Sequence, residues 1–104
     1  MTVPATSLKA KAETGRATFE TTLLQNYPNP TGKQTVIPYV IGEDDNVSLR
    51  LYDVTGKMVQ ILSEEHQSAG LYEVNINTGE LPKGVYIYTL RTKDGQLTKK
   101  MIVE

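Results

Sequence analysis

The chain alternates apolar and polar residues with period two over most of its length, and no stretch sustains a helical period. The clearest case is Gly84-Val85-Tyr86-Ile87-Tyr88-Thr89-Leu90-Arg91. Tyr86, Tyr88 and Leu90 fall on one side, and Val85, Ile87, Thr89 and Arg91 on the other. This is the signature of a pleated strand. Both sides are apolar near Gly84, which predicts an interior strand covered on both faces. Leu81-Pro82-Lys83-Gly84 before it has the residues of a type I turn. Asp94-Gly95 after it is a two-residue hairpin signal, so Gln96 to Val103 is the return strand. That loop pairs Tyr88 with Met101, Tyr86 with Val103 and Ile87 with Ile102.

The same reading applies upstream. Gln34 to Ile41 is a strand with Ile37, Tyr39 and Ile41 on one face, and Pro38 in it predicts an edge or a bulge. Val47 to Val54 and Lys57 to Leu62 flank Asp53-Val54-Thr55-Gly56, a type I turn closed by a glycine bulge. Of two registers, the one pairing Leu51 with Val59 and Leu49 with Ile61 is chosen over Leu51 with Gln60, because it stacks apolar on apolar. Polar Ser63 to Ala69 reads as a connection between sheets. Gly70 to Asn77 is an alternating strand with Tyr72, Val74 and Ile76 inward, followed by a turn at Thr78-Gly79-Glu80.

The amino-terminal part differs. Leu24-Gln25-Asn26-Tyr27-Pro28-Asn29-Pro30 carries two prolines that fix φ and remove amide donors, which predicts a stiff extended edge piece. Leu24 and Tyr27 are its expected core anchors, and Thr31-Gly32-Lys33 is a turn. Residues Met1 to about Thr22 have no sustained period and read as a linker, with a short helix over Leu8–Thr14 as the alternative. Six strands and a possible seventh, spaced about every ten residues with no helix between, predict an all-β, immunoglobulin-like antiparallel sandwich of about seven strands over residues 23–104.

Composition narrows the function. At 104 residues the chain is one domain. Its net charge of −1 argues against a nucleic-acid partner. Without cysteine there is neither a disulfide framework nor a thiolate metal site. No apolar run has the length of a transmembrane segment. The first residues do not resemble a signal peptide, so an exported version would be a module of something longer.

Candidate chemistry is sparse. The acidic turn Gly42-Glu43-Asp44-Asp45-Asn46 lacks the spacing and bidentate ligand of a calcium loop and reads as solvated. His66, the sole histidine, has no second imidazole and no nucleophile in an elbow-type sequence; it reads as an exposed loop residue. Five of six tyrosines lie in phase with apolar faces or anchor positions and read as core. The expectation is a non-enzyme with no catalytic residues, metal or cofactor.

Several segments together resemble a known family. They are Leu24 to Pro30, Val47 to Val59 with its Asp53 and Gly56, then Gly70, Leu81 to Tyr88 with Gly84 and Tyr86, and Lys99 to Val103. In this order they are similar to the carboxy-terminal sorting domain of proteins exported by the type IX secretion system of Bacteroidetes-like bacteria. One departure is Thr31-Gly32-Lys33, where members commonly carry an aromatic and another Asn-Pro-like turn; Thr31 is therefore given no contact role. The resemblance implies a seven-stranded sandwich at the tail of a larger cargo. It also implies recognition by the outer-membrane type IX translocon, cleavage by a sortase-like peptidase before Leu23, and delivery through the periplasm to the outer-membrane surface or beyond. Motif residues Pro28, Asn29, Pro30, Asp53, Gly56, Gly70, Gly84 and Tyr86 would then be structural.

Lys93, Lys99 and Lys100 give the terminal hairpin a basic edge suited to strand addition or salt-assisted docking. Lysines that merely guard an edge against aggregation are the competing explanation. Readings from other classes are a carbohydrate-binding or cell-adhesion module of a secreted enzyme and an assembly domain of a flagellar hook cap protein.

Overall fold

A computed structural model describes residues 20–104. The linker expected over residues 1–22, apart from its last three residues, and the alternative helix at Leu8–Thr14 lie outside the described residues. Seven strands follow in order: β1 (Thr22–Leu23), β2 (Gln34–Ile41), β3 (Asp45–Asp53), β4 (Met58–Gln67), β5 (Gly70–Asn77), β6 (Gly84–Thr92) and β7 (Gly95–Val103). They form two antiparallel sheets, β1-β2-β5 and β4-β3-β6-β7.

The sheets meet because each strand turns one apolar row inward. Leu23, Ile37, Tyr39, Ile41 and Ile76 come from one sheet; Val47, Leu49, Leu51, Tyr86, Tyr88, Leu90, Met101 and Val103 come from the other. All are buried in one cluster, with Leu62, Tyr72, Val74 and Leu81 packed at its margin. Tyr39 and Tyr72 stack with centroids 5.4 Å apart. The architecture is the expected sandwich, and β2 and β5 begin and end where the pattern places them.

The turn after β3 is built as its residues dictate. The Asp53 carboxylate accepts from the Thr55 amide at 2.9 Å, the Thr55 hydroxyl at 2.6 Å and the Lys57 amide at 3.0 Å. These donors, the Thr55 hydroxyl foremost, hold its carboxyl below the usual range. Gly56 sits at φ 91°, a region that costs a residue with a Cβ roughly 1–2 kcal/mol. No atom lies within 4 Å of a Cβ built there, so strain alone sets the penalty. Gly56→Ala should therefore lower stability by about 1 kcal/mol in urea unfolding, with an unchanged denaturant slope.

Several expectations need correction. In the β3–β4 hairpin Tyr52 pairs with Met58, but irregularities at Leu51/Tyr52 and Leu49/Arg50 shift the later pairs to Leu51–Gln60, Arg50–Ile61 and Leu49–Ser63. The register rejected at Leu51 is the one adopted. β4 is an edge strand, and its bulges leave Val59 and Ile61 exposed. The polar stretch Ser63 to Gln67 continues β4, so only Ser68 and Ala69 connect the sheets, and His66 is an exposed strand residue.

In the β6–β7 hairpin the two loop residues are Lys93 and Asp94, and Gly95 follows at φ 124°. Tyr86 therefore pairs with Met101, Ile87 with Lys100 and Tyr88 with Lys99. The slip of two residues keeps every side chain on its expected face. β6 is interior to its sheet, but its second face is open: Val85 is exposed and Ile87 half-buried.

Pro38 lies in the middle strand of its sheet, not at an edge or bulge. Its carbonyl accepts from the Leu24 amide at 3.1 Å. In antiparallel pairing a residue's donor and acceptor point the same way, so the missing Pro38 donor faces the side where the two-residue β1 has already ended. At the amino-terminal piece the anchors differ from those predicted. Leu24 and Tyr27 are exposed, whereas Leu23 and Asn26 are buried.

Candidate functional site

Of the residues the resemblance singles out, Pro28, Asn29 and Pro30 lie where the two ends of the described chain meet. Residues Leu24 to Thr31 run along the outer edge of β7, and the contact is polar. Gln25 Nε2 donates to the Lys100 carbonyl at 2.7 Å. The Ile102 amide donates to Asn29 Oδ1 at 2.9 Å. Thr31 N–H donates to the Ile102 carbonyl, and Glu104 N–H to the Thr31 carbonyl, each at 2.8 Å. Thr31 and Val103 thus form a parallel bridge. The outward main-chain groups of Ile102, which an edge strand would leave open, are both occupied.

Two buried groups hold this strap in place. Tyr88, fully buried in β6, donates from its hydroxyl to the Leu24 carbonyl at 2.7 Å and accepts from the Asn26 amide at 2.8 Å. Burial pushes the Tyr88 phenol up to about 12, opposed in part by the Asn26 amide, which favours the phenolate. The buried Asn26 side chain donates to the Pro28 carbonyl at 3.1 Å and to Thr35 Oγ1 at 3.0 Å. Thr31, completely buried, shares a 2.9 Å hydroxyl contact with buried Thr78 and donates to the Gln34 carbonyl at 2.9 Å. Pro28 and Pro30 each follow a cis peptide bond, flanking Asn29.

Thr31, without an expected role, and Asn26 both belong to the strap's buried polar contacts. Both are polar residues turned inward, which an apolar pattern does not register.

Asp53 and Gly56 build the turn after β3, and the remaining motif residues stand at strand starts. Gly70 and Gly84 open β5 and β6. Tyr72 and Tyr86, each two residues on, donate to the carbonyls of Ser68 and Pro82, both at 2.6 Å. This repeated Gly-x-Tyr device ties a tyrosine back over the turn before its strand, as tyrosine corners do in immunoglobulin-like folds.

The three candidate recognition lysines do not converge. Lys93 pairs with Glu43 at 3.0 Å at the hairpin tip. Lys99 and Lys100 are neighbours on β7, so they point to opposite faces. The acidic turn is occupied as well: Asp44 accepts from the Ala69 amide, and Asp45 from the amides of Asn46 and Lys93. No cluster of three metal-ligating side chains is present among the described residues.

A family model for the secretion system C-terminal sorting domain matches residues 25–104. The chain belongs to that family. The matched span takes in the strap from Gln25 onward, both Gly-x-Tyr strands and β7 to its end. Among solved structures the chain is similar to dimeric latent PorU from Porphyromonas gingivalis, at 23% identity and a TM-score of 0.61 over 78% of this chain. It spans 9% of the PorU chain. It also overlaps the Ig1 domain of mouse SynCAM 2, at 16% identity and a TM-score of 0.40, over 69% of this chain and 81% of that one. No curated protein sequence matches the chain. A sorting domain of this family is a type IX secretion signal, of a non-catalytic class, and implies export to the cell surface or release. Among the described residues no helix is long and apolar enough to cross a membrane.

Proposed function

We propose that the folded sandwich is the export address at the tail of a larger cargo, read by the outer-membrane type IX translocon without any enzymatic step of its own. Residues 1–22 join it to the cargo and carry the site for a sortase-like peptidase; residues 23–104 carry the message. The observation behind this reading is the strap. Asn29 and its neighbours in the strap use their polar groups to close β7 onto the fold. They hold a shape instead of offering a reactive group.

Lys93, Lys99 and Lys100 remain candidates for partner contact at the terminal hairpin. Strand addition has limited room on β7, because the outward groups of Ile102 and the Lys100 carbonyl are taken. The same alternation leaves the main-chain groups of Gln96 and Thr98 facing away from β6.

The test is a reporter carrying the full chain at its carboxy terminus, expressed in a type IX-competent bacterium and in a strain lacking the translocon. The reporter should reach the medium or cell surface only in the competent strain. Equal external reporter in both strains, or none in either, would overturn the proposal.

A further inference from the structure

The outer face of the four-stranded sheet is polar at one end and apolar at the other. Register places Met58, Tyr52, Ile87 and Lys100 in one row across β4, β3, β6 and β7, with Val85 and Ile102 paired beside it. Directly paired residues share a face, so these six side chains lie together. Met58, Val85 and Ile102 are exposed. Contiguous exposed apolar surface of this kind marks an interaction site more often than an accident of composition.

The charges on this face say what covers it. Glu64 on this face is bound to Arg50 at 2.7 Å. Arg91 donates to Gln96 at 2.9 Å and is not matched by an acid. Lys100 borders the apolar row, also without an acidic partner among the described residues. Lys99 points to the other side of β7, and Lys93 is paired with Glu43. Lys100 therefore stands as an unpaired cation beside the apolar row among the described residues.

We propose that Tyr52, Val85, Ile87 and Ile102, with Lys100 beside them, form a docking surface for a protein of the secretion machinery whose matching surface is apolar and bears an acidic group opposite Lys100. Burial of the apolar row supplies affinity, and the lysine sets register and repels basic surfaces. The inference rests on the sorting-signal reading and gives it a face.

Reporter fusions of the full chain test it, with Lys100→Glu, Lys100→Arg, the double variant Val85→Ser/Ile102→Ser, and Leu97→Ser as a control exposed elsewhere on β7. Export should fall at least tenfold for Lys100→Glu and for the double variant. It should stay within twofold of the parent for Lys100→Arg and Leu97→Ser. Thermal melts of the purified chains show whether each variant is folded. A photo-crosslinking residue at Ile102 needs no destabilising change. It should trap one machinery protein, at a surface containing Asp or Glu. Parent export with undiminished export of Lys100→Glu and the double variant overturns this inference alone. A crosslink only to a second copy of the chain, only to lipid, or to nothing, also overturns it alone. Failure of the parent fusion to be exported overturns the sorting-signal reading as well.

Discussion

A chain ending at Thr98 should not fold. Removing Lys99–Glu104 takes Met101 and Val103 out of the core, where both are buried. Each is worth roughly 1.5–3 kcal/mol of apolar burial. The cut also removes the pairings of Gly84, Tyr86 and Tyr88 with β7, and takes from the strap residues Gln25, Asn29 and Thr31 their partners on β7 and Glu104. At about 1 kcal/mol for each strap hydrogen bond, the total reaches the whole stability of a domain this size, about 5–15 kcal/mol. The expected result is loss of the cooperative melting transition and of near-ultraviolet tyrosine dichroism. A truncated chain that still melts cooperatively would contradict the placement of β7. It follows that a failed export of this truncation reports unfolding before it reports recognition. Surface substitutions are the cleaner probe of the signal.

Tyr88→Phe should have the second largest effect. The ring and its packing stay, so no cavity opens. The loss is polar: the Asn26 amide, in a residue buried against the core, loses its acceptor, and the Leu24 carbonyl loses its donor. An unsatisfied buried group costs about 1–3 kcal/mol, so a loss of about 2 kcal/mol is expected in urea unfolding. The tyrosine also predicts a pH dependence. Its phenol is raised from an ordinary value near 10 to about 12. The folded state thus binds the proton more tightly than the unfolded state. The corresponding stability is fully present below pH 10 and is lost as pH rises toward 12. Burial raises Tyr39 and Tyr72 in the same direction. Alkaline melts should therefore steepen between pH 10 and 12, less so in Tyr88→Phe. Parallel curves for parent and variant would contradict a Tyr88 phenol raised by burial.

Much of the architecture was legible because local chemistry and alternation agreed. Asp53 and Gly56 specify their turn through three amide or hydroxyl donors and one positive φ, all within five residues. β2 and β5 carry clean inward rows. The pattern failed where one side of a strand meets water. On β4 an apolar residue need not face an apolar partner, so Val59 and Ile61 misled the register. Polar Ser63 to Gln67 looked like a loop, although an edge strand can be polar along most of its length. At the second hairpin, Asp-Gly reads in sequence as the loop itself. The glycine instead follows the loop, because its positive φ is needed one position later.

The candidate site was legible only in part. The motif residues were named, but their purpose lay in partners 62 to 75 positions away, which spacing does not reveal. Asn26 and Thr31 escaped notice because their burial is satisfied by hydrogen bonds and leaves no apolar trace. The three lysines looked like one basic edge in the sequence; strand geometry separates them and leaves Lys100 beside the open apolar row.

The measurement closest to the centre of this account is native-state hydrogen exchange at the Ile102 amide. That group faces outward on the edge strand yet is bound by Asn29. It should exchange far more slowly than the outward amides of Gln96 and Thr98, and Asn29→Ala should bring it to their rate while the amide of Met101 stays protected. An Ile102 amide already exchanging as fast as those of Gln96 and Thr98 in the parent chain would mean that the strap does not close the fold.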